Sequence, residues 1–390
     1  MSAGAAQQAR RRRRLLAAAC GWMLIAACTS AATPGAAPHA GSSAPHAAGS
    51  SGASGSSAPG SSAGAGGGGG TTIGTERDAA APRDAALLAD AAAPPSDASV
   101  TDAAMPTESP RHAARALAQP PGYMGSVDNS VECSRSYPTV GFEPIGAPGE
   151  RFPLFLYFAG TAFVMPDPSA SHDSPAALAV TEAMARRGYV ALSVAYDNGA
   201  LAWLSDHRGQ LACLFEAERA GSLLGAACAL PQVDCELGIA TWGHSQGGFV
   251  GVAAANHDPR VRGAWATGYG GDADVRLSRH RLRVVNGEAD TSNGTAATLN
   301  AITGLTAADC APDASVCLRA DGSGWIIVRR SELADPASGS ADHCWFDKRA
   351  CLDGQLRLEP SWVDPASQRP YALELNADWL ARTARDATLP

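Results

Sequence analysis

The chain has 390 residues, of which 45% are hydrophobic and only 17% charged, and its formal net charge at pH 7 is −8. This acidic balance argues against a surface built to bind nucleic acid. The only lysine is Lys348, with Trp345 three residues before it, so a Ser-x-x-Lys dyad and a P-loop are both excluded. No histidine is followed by glutamate, which excludes His-Glu-x-x-His zinc peptidases.

The N-terminus has the pattern of an export signal. Five arginines, Arg10 to Arg14, precede an apolar stretch over residues 15–27, which is too short to span a bilayer. The stretch ends in "LIAAC", which resembles the lipobox of bacterial lipoproteins. We therefore expect residues 1–27 to be a lipoprotein signal peptide and Cys28 to carry the lipid that anchors the protein to a membrane. The alternative is a secretory signal with Ala-x-Ala cleavage nearby.

The resemblance implies an exported protein anchored in the bacterial cell envelope, and Thr29 in place of Asp favours the outer membrane or cell surface. Residues 28–120 are rich in Ala, Gly, Ser and Pro, so they are predicted to form a disordered tether. Residues 121–390 are the predicted catalytic domain. Loss of the five signal arginines leaves 25 basic and 38 acidic residues, a net charge of −13, and we expect no nucleic-acid partner. The protein is expected to be monomeric.

The predicted elements alternate between strands and helices along this domain. An antiparallel hairpin is expected near residues 125–145, followed by strands at 153–160, 189–196, 237–243, 261–269, 281–288 and 324–330. Helices are expected at 175–188, 206–230, 247–255 and 371–386. This alternation predicts an α/β fold with a mostly parallel central sheet and helices on both faces.

Ten cysteines minus Cys20 in the signal and Cys28 leave eight, an even number that suits an oxidising compartment. Three pairs lie seven residues apart, which is a natural length for short loop disulfides, and the two remaining cysteines would form a long-range bridge. The predicted pairs are Cys228–Cys235, Cys310–Cys317, Cys344–Cys351 and Cys133–Cys213. A cysteine metal site is the alternative, but the pairs lack the Cys-x-x-Cys spacing of zinc knuckles.

Two Gly-x-Ser-x-Gly patterns compete as the site of a nucleophilic serine. One, at residues 60–64, lies in the Ser/Gly-rich tract, which cannot form a catalytic scaffold. The other, "GHSQG" around Ser245, lies between a predicted strand and a predicted helix, as the strained turn of a nucleophile elbow requires. A structural turn is the alternative for Ser245. His244 is predicted to pack rather than to act as the base.

In "GHSQGG", in the flanking elements and in their order, the chain resembles the α/β-hydrolase fold over about residues 150–385. Within that fold it looks most like the dienelactone-hydrolase and cutinase-like polyester-hydrolase branch, with chlorophyllase-type esterases nearby. The resemblance implies a catalytic order of Ser, acid and His along the chain. It assigns the acid to Asp290, in the loop after "RVVNGE", and the base to His343.

Alternatives remain at both positions. Glu288 on the same loop, and Asp272 and Asp274 after the preceding strand, compete with Asp290. His343 could be a surface histidine, whereas His257 and His280 also follow Ser245 but precede Asp290 in the chain.

An oxyanion hole completes the predicted site. One donor should be the backbone N–H of Gln246, directly after the nucleophile, and the other the N–H of Thr161 in "FAGTAF". Relatives often carry a histidine and an aromatic residue in this loop, whereas Ala159 and Thr161 stand there in this chain. Four aromatic residues were therefore considered for the pocket wall: Phe163, Tyr269, Trp345 and Phe346.

Together these features predict a membrane-tethered serine hydrolase that cleaves carboxylic esters through an acyl-enzyme, with no cofactor and no metal. An amidase or peptidase using the same triad is one alternative. An inactive hydrolase-fold protein that serves as a binding module is another.

Overall fold

The computed structural model describes residues 111–161, 171–199, 207–271, 275–290, 293, 295–311, 313–334, 340–347 and 358–390. The predicted signal peptide, Cys28 and the tether up to residue 110 therefore lie outside the described residues, as do Phe163, Asp272, Asp274 and Cys351. Among the described residues, no helix combines the length and the apolar character needed to cross a membrane.

The body is built on a nine-stranded sheet that is mostly parallel. In spatial order its strands are β1 (Ala114–Ala116), β4 (Thr139–Pro144), β6 (Val190–Val194), β5 (Leu154–Phe158), β7 (Ile239–His244), β8 (Val261–Thr267), β9 (Leu282–Gly287), β11 (Gly324–Val328) and β10 (Val316–Leu318). The run from β6 to β11 is parallel throughout, whereas β1, β4 and β10 pair antiparallel at the two edges. The prediction of a mostly parallel sheet in an α/β fold is confirmed.

The predicted entry hairpin is present as a separate two-stranded antiparallel sheet, β2 (Tyr123–Ser126) and β3 (Cys133–Tyr137). Strand β1 lies within residues 28–120, the range predicted as the tether. Its backbone pairs with β4, although its sequence, "ARA", has no strand pattern. Backbone pairing of this kind leaves no trace in hydrophobic periodicity. The sheet therefore takes in residues before position 121.

Helices cover both faces of the sheet, as its continuous apolar strands require. In chain order they are α1 (Pro175–Arg186), α2 (Arg208–Phe215), α3 (Leu223–Cys228), α4 (Gln246–Ala253), α5 (Ala296–Thr303), α6 (Pro360–Val363) and α7 (Leu373–Arg385). On β5, Phe155 and Tyr157 pack on the side of α1 and α7, while Leu156 and Phe158 pack on the side of α2 and α3.

The expectation of one helix over residues 206–230 is wrong. The chain leaves α2 at Phe215, turns through Gly221 at φ 74°, and restarts at α3, where the Ser222 hydroxyl accepts a hydrogen bond from the Gly225 N–H. The segment between the helices, residues 216–220, reads "EAERA" and consists of strong helix formers, so local propensity did not reveal the break. Ser222 is a typical N-cap residue, and it was the available signal for a second helix start.

Three of the four predicted disulfides are present among the described residues. Cys133–Cys213, Cys228–Cys235 and Cys310–Cys317 have Cα–Cα distances of 5.6, 5.7 and 5.6 Å. Cys344 is also disulfide-bonded, and its predicted partner lies outside the described residues. These disulfides indicate an oxidising, extracytoplasmic environment.

Candidate active site

Ser245 occupies a strained turn at the carboxyl end of the central strand β7. Its backbone angles, φ 54° and ψ −120°, are rare for a residue with a side chain. Its N–H donates to the Thr267 carbonyl at the end of β8 (2.8 Å), and its own carbonyl accepts from the Gly248 N–H (2.9 Å). Ser245 is half-buried, whereas its neighbours His244 and Gln246 are buried.

The flanking glycines are required by the close packing of this turn. A Cβ on Gly243 would lie 2.0 Å from the Gly247 carbonyl oxygen, and a Cβ on Gly247 would lie 2.0 Å from that of Phe158. Neither carbonyl can move away without breaking the strand-to-helix connection. The Gly-x-Ser-x-Gly spacing therefore follows from the tight crossing of β7, α4 and the end of β5.

Asp290 and His343 lie together at this same edge of the sheet. The Asp290 Oδ2 is 2.8 Å from the His343 Nδ1, and the Asp290 carboxylate is buried, whereas 14% of the His343 side chain is exposed. A carboxylate can only accept a hydrogen bond, so Nδ1 carries the proton and Nε2 is the basic nitrogen of the ring. This is the arrangement of a histidine base oriented by an acid.

The imidazole of His343 lies close to the elbow that carries Ser245. Its ring centroid is 4.8 Å from that of His244, the residue before Ser245. It also packs on Gly268, one residue beyond the carbonyl of Thr267 that accepts from Ser245, because a Cβ on Gly268 would lie 2.6 Å from the His343 Cε1. The three predicted catalytic residues are thus collected at the carboxyl ends of β7, β9 and the loop after β11.

His244 supports the loop that carries His343. Its Nε2 donates to the His343 carbonyl oxygen at 2.8 Å, and burial lowers the pKa of His244 to about 3, with a further contribution from the nearby His343 ring. The imidazole is therefore neutral at ordinary pH. This agrees with its prediction as a packing residue, and it adds a positioning role that sequence reasoning missed.

The rival acid and histidines lie elsewhere. Glu288 is exposed and accepts a hydrogen bond from the Arg330 N–H at 2.6 Å. His280 contacts Asp321 (2.5 Å between Nδ1 and Oδ2) before β9, at the amino edge of the sheet. His257 follows α4, also away from Ser245. Asp272 and Asp274 lie outside the described residues.

Thr161 and Gln246, the predicted oxyanion-hole residues, are in direct contact. The Thr161 hydroxyl donates to the Gln246 Oε1 at 2.9 Å. Gln246 is the first residue of α4, where backbone N–H groups have no acceptor within the helix. The contact holds the loop after β5 against the start of α4, next to Ser245.

Asn198 and Tyr196, beyond the end of β6, fix the backbone of that loop. The Asn198 Nδ2 donates to the Gly160 carbonyl (2.7 Å), and the Tyr196 hydroxyl donates to the Ala159 carbonyl (2.5 Å). In a trans peptide the C=O and N–H point in opposite directions, so anchoring the Gly160 oxygen also fixes the direction of the Thr161 N–H. Sequence reasoning missed both residues, although polar groups directly after a buried strand were a usable signal.

Asn286, near the end of β9, fixes the backbone around the loop that carries Asp290. Its Oδ1 accepts from the Tyr269 N–H (3.2 Å), and its Nδ2 donates to the carbonyls of Tyr269 and Asn293. The Ala289 N–H donates to the Ala341 carbonyl at 2.8 Å, which ties the loop of Asp290 to that of His343. Both loops are therefore positioned by buried hydrogen bonds.

The aromatic residues considered for a pocket wall belong to the core instead. Tyr269, Trp345 and Phe346 are each 1% exposed. Phe346 packs edge-on against His244 (5.0 Å) and against Trp362 (5.2 Å). Trp345 and Phe346 follow His343 closely in the chain, so their burial anchors the loop that carries it, whereas Tyr269 packs against Phe249.

The chain matches no protein-family model, and no curated protein is similar enough to it to count as a match. Among the described residues, no group of three or more His, Cys, Asp or Glu side chains is arranged to hold a metal ion.

Proposed function

We propose that this protein is an exported serine hydrolase of the α/β-hydrolase fold that cleaves carboxylic esters. One observation carries the proposal. Ser245 stands at φ 54° in a turn after the central strand, and the 2.8 Å pair of Asp290 and His343 lies at the same edge of the sheet. Strain of this kind is retained where function requires a side chain to project from a fixed turn.

In the proposed reaction the Ser245 hydroxyl attacks the ester carbonyl while its proton passes to the Nε2 of His343. Asp290 keeps the proton on Nδ1 and stabilises the imidazolium that forms. Collapse of the tetrahedral intermediate breaks the bond to the alcohol, which takes the proton back from His343. A water molecule activated by His343 then hydrolyses the acyl-enzyme and releases the carboxylic acid.

The backbone N–H groups of Gln246 and Thr161 would hold the oxyanion of each tetrahedral intermediate. They are fixed before substrate arrives, because Asn198 anchors the Gly160 carbonyl and the Thr161 hydroxyl is bonded to Gln246. Fixed donors require no reorganisation during the reaction, which is the main advantage of such a site. The positive end of α4 also favours negative charge at this point.

The cellular setting is part of the proposal. The signal pattern of residues 1–27 and the lipobox cysteine Cys28 support a lipid anchor in the cell envelope, and residues 28–120 would serve as the tether. The disulfides support the same compartment. The cleaved ester would then be met outside the cytoplasm.

A fluorophosphonate probe tests the catalytic proposal, because it labels only serines activated for nucleophilic attack. We expect wild-type protein to be labelled and Ser245→Ala to be unlabelled. Absence of labelling in folded wild type, or equal labelling of the variant, would overturn the proposal and favour an inactive binding module. Comparing p-nitrophenyl esters with the matching anilides separates an esterase from an amidase.

A further inference from the structure

The opposite, amino edge of the sheet contains a cleft of about 630 Å³. Its lining includes three arginines, one histidine and two apolar side chains: Arg262, Arg276, Arg281, His257, Val261 and Leu277. Val261 begins β8 and Arg281 immediately precedes β9, whereas Ser245 follows β7. This arginine cleft is therefore separate from the proposed catalytic site.

The three guanidinium groups are graded from the floor to the rim of the cleft. Arg281 is buried, Arg262 is half-buried and Arg276 is exposed. Arg281 donates to the carbonyls of Arg262, Thr383 and Leu389. These three bonds use three of its five N–H donors, and the other two form no hydrogen bond to a described residue.

Positive charge in the arginine cleft is only partly compensated by the described residues. Arg262 and Arg276 form no ion pair with a described carboxylate. Asp258 also lines the cleft, but it is paired with Arg260 (2.7 Å) outside it. Asp386 lies near Arg281 and offsets part of its charge, and the Asp386 carboxylate also accepts two hydrogen bonds from Thr388.

The cationic groups also act on one another. Burial lowers the pKa of Arg281 from its ordinary value, Asp386 opposes the shift, and the charge of Arg262 adds to it. Burial likewise lowers the pKa of His257, Glu216 opposes the shift, and the charge of Arg276 adds to it. A bound anion would relieve this repulsion, so the folded protein gains from filling the cleft with negative charge.

We infer that the arginine cleft is a second binding site, which takes a phosphate group. A carboxylate offers two oxygens, whereas a phosphate monoester offers three charged oxygens that three guanidinium groups can engage at once. The apolar side chains of Val261 and Leu277 beside the arginines suit the carbon portion of an organic phosphate. The phosphate could come from a soluble metabolite or from the headgroup of an anionic lipid.

The test uses the full chain and two variants in which arginine is replaced by glutamine, so that each replacement removes one positive charge. The variant Arg262→Gln/Arg276→Gln removes the two accessible arginines and leaves the buried Arg281 in place. Arg279→Gln is the matched control, since Arg279 is exposed, lies three residues from Arg276 and does not line the cleft. Hydrolysis of a p-nitrophenyl ester is measured in parallel, and we expect all variants to retain it, which separates this test from that of the proposed function.

Binding is measured with inorganic phosphate by calorimetry at constant ionic strength, and with vesicles containing phosphatidic acid, a phosphate monoester, against phosphatidylcholine vesicles by sedimentation. We expect the double variant to bind at least about tenfold more weakly than wild type and Arg279→Gln to bind equally well. Loss in the phosphate arm identifies a soluble phosphate, and loss in the vesicle arm alone identifies a lipid headgroup. If neither probe binds wild type, or if the control variant weakens binding as much as the double variant, the inference is wrong.

Discussion

The two edges of the central sheet differ in how far their buried polar side chains are paired. At the amino edge, the buried Arg187 before β6 forms ion pairs with Glu374 (2.7 Å) and Asp378 (2.6 Å) on α7. At the carboxyl edge, buried atoms stay unpaired among the described residues, namely Asn198 Oδ1, Gln246 Nε2 and Asp290 Oδ1.

Unsatisfied buried groups cost stability and call for an explanation wherever they occur. Their position near the strained turn of Ser245 supports the proposal that the carboxyl edge carries the chemistry, whereas the ion pairs of Arg187 stabilise the amino edge. In open α/β sheets, ligands generally bind beyond the carboxyl ends of the strands, because the loops there diverge around a crevice. The arginine cleft is the exception at the amino edge, where positive charge is left partly uncompensated.

The sharpest way to break the comparison is to remove the acid of the proposed triad. Asp290→Asn should lower kcat for ester hydrolysis on the order of 10⁴-fold, because an amide N–H favours the wrong tautomer of His343. Steady-state kinetics with a p-nitrophenyl ester measures the change. Glu288→Gln, exposed on the same loop, is the matched control and should retain activity; an equal loss in both variants would reject Asp290 as the acid.

A substitution among the ion pairs of the amino edge should change the free energy of unfolding and not the catalytic rate. Arg187→Met leaves Glu374 and Asp378 without their buried partner, so the free energy of unfolding should fall by about 3–5 kcal/mol. The exposed pair of Glu182 and Arg186 is the control, since Glu182→Gln should cost less than about 0.5 kcal/mol. Urea unfolding measures both values. Activity per folded molecule should stay unchanged in Arg187→Met, and a selective fall in kcat would contradict the division between the edges.

A smaller effect is expected from a substitution that moves the loop carrying Thr161, the proposed oxyanion loop, and leaves the proposed catalytic residues unchanged. Asn198→Ala frees the Gly160 carbonyl, so kcat should fall roughly 10- to 100-fold while KM changes little, because the Thr161 N–H loses its fixed direction. The Asn198 Nδ2 also donates to the Ser171 hydroxyl at 2.9 Å. Ser171→Ala removes only this second acceptor and should have little effect on kcat. If both variants behave alike, Asn198 does not position the loop.

The smallest effect concerns the pH dependence of stability. Because the pKa of His244 is about 3 in the folded protein and near 6.5 when unfolded, the unfolded state alone binds its proton between these values. Its contribution to stability is therefore complete above pH 6.5 and is lost as the pH falls towards 3.

The variant His244→Gln keeps an N–H donor but cannot titrate. On acidification from pH 7 to pH 5 it should lose up to about 2 kcal/mol less of unfolding free energy than wild type. Urea unfolding at the two pH values measures the difference. Identical losses would show that His244 is protonated in the folded state.

Much of the scaffold could be predicted from local patterns. The apolar runs around Leu156 and Leu192 predict buried strands, and Pro175 followed by helical periodicity up to Gly188 predicts α1 with nearly its observed bounds. Chain order also narrowed the choice of base, since only one histidine follows Asp290, and the catalytic assignment of both residues stays a prediction. The break between α2 and α3 was missed because residues 216–220, "EAERA", are strong helix formers.

The sequence by itself determined the alternating strands and helices, the strand–turn–helix around Ser245 and the even set of cysteines, because each depends on residues close together in the chain. Only the tertiary structure decided that Asn198 anchors the loop that carries Thr161, that His244 supports the loop of His343, and that three arginines share a cleft. These contacts join segments tens of residues apart, and their energies depend on burial that no local pattern records.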